Sequence, residues 1–177
     1  MTVDAAMQDR KRPVLVLPDD APYVPGLTER PLSGLFMEIA ERAPERTDPA
    51  AWRDNEAWLH GFSLYAAGYF WEAHEVWEPV WMGTTPNSAE RHLAQGLIQI
   101  ANACLKLAMN RPKAALRLAR DARQRLQEAA GAGQDSLMGV EMAPLIRETH
   151  HFIAALSAAD VAAPQLLSTR PKMFCAA

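Results

Sequence analysis

Features that mark several other protein classes are missing from this sequence. No stretch is long and apolar enough to cross a membrane without charged residues, and residues 1–12 lack the apolar run of a secretory signal. Cysteine occurs only at Cys104 and Cys175, in separate settings where a disulfide between them is unexpected. These absences predict a protein of the reducing cytoplasm that has no membrane partner.

The motifs of several enzyme classes are also missing. There is no glycine-rich phosphate loop, no Ser/His/Asp or Cys/His nucleophile arrangement, and no His-Glu-x-x-His pattern of the zinc peptidases. The formal net charge of −3 gives no general attraction for nucleic acid. Lys113, Arg117 and Arg120 form a basic helix face, but no aromatic residues interleave with them, so a solvated face explains them better than an RNA-binding surface.

Apolar residues recur with helical spacing through most of the chain, which is long enough for one core and short for two domains. The predicted helices span residues 31–42, 48–67, 68–83, 87–109, 112–130 and 143–158. The very short connections near Gly68 and at residues 110–112 predict antiparallel neighbours. We therefore predict an all-α fold: a single bundle of about six helices, built from two antiparallel hairpins, with an extended N-terminal arm.

The ends of the chain differ in composition from its middle. Residues 1–27 are predicted to form an extended or disordered N-terminal arm: residues 1–12 are expected to be disordered, and prolines with Gly26 keep the chain extended to about residue 27. A short apolar run at residues 14–17 is expected to lie on the helical body. Residues 28–160 form the predicted helical domain, and residues 161–177 a C-terminal tail. The first predicted helix has a clear apolar side, listed here: Leu32, Leu35, Phe36 and Ile39. Asn87, with Glu90 three residues later, is predicted to cap the fourth helix.

Residues 68–83 concentrate the chemistry of the chain on one predicted helix with two stripes. The ordinary core stripe contains Phe70, Ala73, Trp77 and Val80. The second stripe contains Trp71, His74, Glu78 and Trp81. Because His74 and Glu78 lie four residues apart, both can reach one point, where they bind a metal ion or where the carboxylate orients the imidazole. Glu75 is expected to point away from that stripe, and Pro79 to bend the helix near residues 76–78.

The spacing His74-x-x-x-Glu78-x-x-Trp81 resembles the signature of a family of small all-helical bacterial and archaeal domains of unknown function. The segments Glu72-Ala-His-Glu-Val-Trp-Glu and Gln95-Gly-Leu-Ile-Gln also resemble that family, and the likeness runs from about residue 52 to residue 126. Residues 23–26 resemble a lead-in that some members carry. The resemblance implies a compact helical fold and a metal-binding role for the His/Glu motif, but no known reaction.

Polar residues of the fourth predicted helix extend this site hypothesis. If Gln95 and Gln99 face His74 and Glu78, a polar pocket forms that can hold a small ligand or a divalent metal such as zinc. Trp71 and Trp81 would wall this pocket, whereas Asn102 and Lys106 are expected on a solvated face. A zinc ion needs at least a third protein ligand. Candidates from other helices are His60, His92, Gln95, His150 and His151.

Two classes of function remain open at this stage. In the first, His74 is the general acid–base of a hydrolase-like site, or a metal ligand, and Glu78 orients it or shares the ion. In the second, His74 and Glu78 are a satisfied polar pair that fixes helix register, and the domain is a non-enzymatic scaffold for another macromolecule. The sequence leaves open whether the chain is an enzyme and whether it forms homo-oligomers.

Overall fold

The computed structural model describes residues 17–131, 133–158 and 163–176. These residues form seven α-helices and one two-stranded sheet, so the predicted all-α fold is confirmed. The helices are α1 (Leu35–Glu41), α2 (Glu56–Ala66), α3 (Phe70–Gly83), α4 (Ala89–Ala108), α5 (Pro112–Ala130), α6 (Met142–Ser157) and α7 (Ala163–Leu166). Within the described ranges, no helix combines the length and the apolar composition that a bilayer crossing requires.

The helices stack as two hairpins. Helices α2 and α3 pack against each other across residues 67–69, and α4 and α5 across residues 109–111. Helix α3 also packs on α4, which joins the hairpins, while α1 lies on α3 and α6 lies on α5. Helix α3, which holds the predicted site, is therefore covered by three other helices.

The centre of the first hairpin is a cluster of aromatic rings. Trp58 and Trp77 are fully buried, with Phe62 between them at ring-centroid distances of 5.1 Å from each. The indole N–H of Trp77 donates to the Trp58 carbonyl at 3.1 Å. At Gly61 an added Cβ would collide with the Trp77 indole, so glycine is what allows α2 and α3 to approach this closely.

The N-terminal arm lies along the outer side of α3. Residues 17–34 contain no helix, and the hydroxyl of Tyr69 lies 3.1 Å from the Pro18 carbonyl and 3.0 Å from the Asp20 carbonyl. The backbone N–H of Tyr23 donates to the Glu72 carboxylate at 2.8 Å. Most of the apolar run at residues 14–17 lies outside the described residues. An extended arm is thus observed from residue 17 onward.

Several predicted helix ends were wrong. The first helix begins at Leu35 rather than at residue 31, because Gly34 has a φ of 152° that a helix cannot contain. Leu32 is therefore 92% exposed, and Leu35 is also exposed. The second helix is divided: a 3₁₀ helix (Pro49–Asp54) precedes α2, whose N-cap is Asn55.

The N-terminus of α4 also differs from its prediction. Asn87 has a φ of 60°, which places it in the turn, and the Ser88 hydroxyl accepts from the Arg91 N–H at 3.1 Å. Ser88 is therefore the N-cap residue. Asn87 and Ser88 can both cap a helix through a side-chain oxygen. The backbone conformation of Asn87 places it in the turn, so Ser88 takes the N-cap position.

The C-terminal part of the chain adds structure that the pattern did not predict. Strands β1 (Ser136–Leu137) and β2 (Val140–Glu141) form an antiparallel hairpin before α6. The Trp58 indole donates to the Met138 carbonyl in this hairpin at 3.0 Å. Beyond α7, the Tyr65 hydroxyl donates to the Pro171 carbonyl at 2.9 Å, and Met173 is buried. The described part of the predicted tail therefore packs on the helical body.

Candidate metal centre

Helix α3 positions the predicted site and continues through Pro79. We expected a bend near residues 76–78, but the helix is unbroken from Phe70 to Gly83. Pro79 has no N–H, so the Glu75 carbonyl loses its usual helical donor. The predicted core stripe is confirmed, because Phe70, Ala73, Trp77 and Val80 are all buried.

His74 is held by a residue of the neighbouring helix. Its Nδ1 lies 3.0 Å from Oδ1 of Asn102, on α4. An amide oxygen only accepts hydrogen bonds, so in the neutral imidazole this contact places the proton on Nδ1 and the lone pair on Nε2. This is the tautomer that a histidine needs to bind a metal through Nε2. The expectation that Asn102 lies on a solvated face was wrong, since Asn102 is partly buried against α3.

Three donor side chains converge beside α3. One ligand atom from each of His74, Glu75 and Glu78 lies within 4.8 Å of the others, and within the described ranges no other group of this kind is found. The prediction that Glu75 points away was wrong. At 3.6 residues per turn, Glu75 and Glu78 are displaced around the helix from His74 by roughly 100° and 40° in the same direction, and long glutamate side chains can span these angles. Glu75 is therefore the site residue that the sequence reasoning missed.

The electrostatic setting of Glu75 differs from that of an exposed glutamate. Partial burial raises the pKa of Glu75, His74 and Arg30 act to lower it, and Glu78 acts to raise it. Burial also raises the pKa of Glu72, although the Tyr23 N–H and its own backbone N–H act in the opposite direction. Glu72 is only 2% exposed and one of its carboxylate oxygens has no hydrogen-bond partner. Helix α3 thus carries two carboxyl groups whose pKa is raised, chiefly by burial.

Two half-buried indoles flank the cluster, each with an arginine on its face. The Arg30 guanidinium lies 5.3 Å from the ring centre of Trp71, and the Arg91 guanidinium 4.4 Å from that of Trp81. Arg91 also donates to the Trp81 carbonyl at 3.0 Å. Positive charge therefore lies beyond both ends of an acidic cluster.

The amides of α4 are close to the predicted arrangement. The contacts of Asn102 with His74 and of Arg91 with Trp81 define an antiparallel register, in which Gln95 and Gln99 lie at heights between them. Both glutamines are partly buried. The side-chain oxygen of Gln99 and the indole nitrogen of Trp81 are buried without a hydrogen-bond partner, so a polar ligand or water could satisfy them. By helical spacing, Gln95 and Gln99 fall on the side of α4 that carries Asn102 and Arg91, and their contact with a ligand stays a prediction.

The histidines proposed as third ligands from other helices do not join this cluster. His92 instead lies 3.0 Å from the Glu128 carboxylate on α5. His150 and His151 are exposed on α6. His60 is buried on α2 with neither ring nitrogen hydrogen-bonded, and burial lowers its pKa, opposed by Glu56. The third donor comes from α3 itself, as Glu75.

A family comparison covers this part of the chain. Residues 58–118 match the family described as Domain of unknown function (DUF309). This segment of the chain is similar to that family. It includes all of α3 and α4, so His74, Glu75, Glu78 and Asn102 lie inside it. The expected resemblance to a family of unknown function is thereby confirmed. No curated protein and no solved structure matches the chain.

The donor set of this segment has the chemistry that divalent ions prefer. One imidazole and two carboxylates suit zinc and related ions, and three protein ligands leave a position for water or substrate. Two donors on one tetrahedral zinc ion, each about 2.1 Å from it, are roughly 3.4 Å apart. The three donor atoms lie within 4.8 Å of one another, so binding would draw them closer together, which the exposed Glu78 side chain permits.

Proposed function

We propose that the chain binds a divalent metal ion through His74, Glu75 and Glu78. The observation that carries this proposal is the hydrogen bond from His74 to Asn102, because it leaves Nε2 available beside two carboxylates. A carboxylate pair alone is common on protein surfaces. An imidazole held in its metal-binding tautomer beside such a pair is a more specific arrangement.

The same site is open to a small ligand. A bound divalent ion would supply Lewis acidity and would lower the pKa of water, which is the basis of hydrolase-like chemistry. The residues that would contact the ligand are Trp71, Trp81, Gln95 and Gln99. Gln99 and Trp81 contribute an acceptor and a donor that have no hydrogen-bond partner among the described residues. In this proposal Asn102 positions His74 rather than touching the ligand.

The metal is tested with untagged full-length protein that has been stripped with a chelator. Zinc or manganese is added, and the bound ion is counted by mass spectrometry and calorimetry. We expect one ion per chain, with binding lost in His74→Ala and weakened in both Glu75→Gln and Glu78→Gln. His151→Ala and Glu41→Gln remove an exposed histidine and an exposed glutamate outside the cluster, and both should bind as the unmodified protein does.

A second candidate function follows from the same hydrogen bond. The contact between His74 and Asn102 links α3 to α4, and with it the two hairpins. A chain that binds no ion, and whose unfolding free energy falls by about 1–3 kcal/mol in His74→Ala, would support a structural polar pair in an interaction scaffold. Stoichiometric metal, lost in a His74→Ala variant that stays folded, would exclude this alternative.

A further inference from the structure

An open pocket of about 380 Å³ shares no residue with the His74, Glu75 and Glu78 cluster. Its walls come from the arm, the start of α3, the last turns of α4 and the C-terminal segment. Representative lining residues are Val24, Phe70, Leu105, Ala108 and Leu167. Ligand pockets in proteins occupy roughly 300–1,000 Å³ and are mostly apolar, so this cavity has the size and the lining for a small apolar molecule.

One charged group lies in this apolar lining. The guanidinium of Arg170 donates to the Leu167 carbonyl and to the Ala66 carbonyl, each at 3.1 Å, and lies 5.8 Å from the ring centre of Phe70. Among the ion pairs of the described residues, none involves Arg170. A guanidinium has five N–H donors, so three remain without a hydrogen bond to the described part of the chain.

The start of α3 also lines the pocket, at Gly68 and Phe70. Its N-terminal charge is already met by the Glu72 carboxylate in the first turn, which accepts from its own backbone N–H and from that of Tyr23. Arg170 is therefore the group in the lining that favours an anion, and the apolar walls favour a hydrocarbon body.

We infer that this cavity binds a medium-chain carboxylate, with its alkyl chain against Val24, Phe70 and Leu105 and its carboxylate on Arg170. Planar guanidinium groups pair with carboxylates through two parallel hydrogen bonds, which the free donors of Arg170 permit. The arm forms one wall, and its contacts with Tyr69 and Glu72 hold that wall in place. This site is independent of the proposed metal.

The test uses full-length protein, with decanoate as the probe and decan-1-ol as the uncharged comparison, titrated by calorimetry. We expect saturable decanoate binding that is weakened about ten-fold or more in Arg170→Gln, while decan-1-ol binding changes little. Ala108→Phe places a ring in the cavity and should abolish the binding of both. Lys172→Gln removes an exposed cation two residues from Arg170 and should leave both affinities unchanged.

Three results would overturn the inference. The first is equal affinity for decanoate and decan-1-ol with no effect of Arg170→Gln. The second is decanoate binding that survives Ala108→Phe. The third is binding absent from the full chain that appears only when residues 1–16 are removed, which would assign the cavity to the chain's own N-terminal segment. Because Arg170 also bonds the end of α2, Arg170→Lys serves as a second variant that keeps the charge, and it should retain more decanoate binding than Arg170→Gln.

Discussion

The inner face of α3, which includes Trp77, is packed in the core, whereas the outer face, which includes His74, Glu75 and Glu78, is polar. On the inner face, Trp77 and its neighbours are packed among α2 and α4 with no exposed surface. On the outer face, His74 contacts Asn102 of another helix, and the Arg30 charge from the N-terminal arm acts on Glu75. The inner face follows from helical periodicity alone. The outer face depends on partners whose positions the periodicity does not determine.

The largest predicted effect is a difference in stability between a variant of the inner face of α3 and a variant of its outer face. Trp77→Ala removes a fully buried indole and its hydrogen bond to the Trp58 carbonyl, and should cost about 3–5 kcal/mol of unfolding free energy. Trp81→Ala removes a half-buried indole whose nitrogen has no partner, and should cost less than half of that. Urea denaturation of both variants measures the difference. Equal losses would show that the outer face is as tightly packed as the inner one.

The second effect concerns affinity rather than stability. Asn102→Ala removes the acceptor that holds the His74 tautomer, and we expect metal affinity to fall about 10–100-fold, as is typical for partners of metal-bound histidines. Asn102→Asp keeps an acceptor oxygen in place and should retain most of the affinity. Calorimetric metal titrations of the two variants make the comparison. Unchanged affinity in Asn102→Ala would mean that Asn102 has only a packing role.

The third effect tests a polar group inside the core. His60 is buried on α2, and its lowered pKa means that folding favours the neutral imidazole, with Glu56 the one charge known to oppose this. Its contribution to stability is therefore present above the ordinary histidine pKa and is lost as the pH falls through 6.5 towards the lowered folded value.

His60→Leu should remove that loss. We compare the unfolding free energy of His60→Leu with that of the unmodified protein at pH 7 and at pH 5. From pH 7 to pH 5 the difference should shift in favour of the variant by on the order of 1 kcal/mol. Urea denaturation at both pH values provides the measurement, with His151→Leu as the exposed control. If the two proteins lose stability in parallel on acidification, His60 is not the group responsible.

These comparisons also show how far the sequence could lead. Apolar spacing was sufficient for the hairpins and the core stripe, because a 3.6-residue period and short connections leave few alternatives. It failed where a single backbone conformation decided the outcome, as at Gly34 and Asn87. In the candidate site, we predicted that His74 faces a polar residue of α4. We did not predict that this residue is Asn102, because the register between two helices is set by packing along their whole length.

The same reasoning explains why Glu75 was missed. The helical period gives the position of the Cα atom of Glu75. Its side chain is long enough to reach over neighbouring positions, and the direction of the side chain depends on which charges lie nearby. Arg30 is such a charge, and it comes from an arm that has no periodic signal at all. A search for metal ligands on one helix should therefore include the positions beside a stripe as well as the stripe itself.

The smallest effect tests the arm that covers the outer face. Tyr69→Phe removes the hydroxyl that binds the carbonyls of Pro18 and Asp20, at a cost of about 1 kcal/mol for one partly exposed hydrogen bond. Because the arm contributes little to the core, we expect this cost to appear as local opening rather than as global destabilisation. Amide exchange of residues 18–30 should accelerate about five-fold, while the urea midpoint stays nearly constant. An equal change in both measurements would mean that the arm unfolds together with α3, and that the outer face is as cooperative a part of the fold as the inner one.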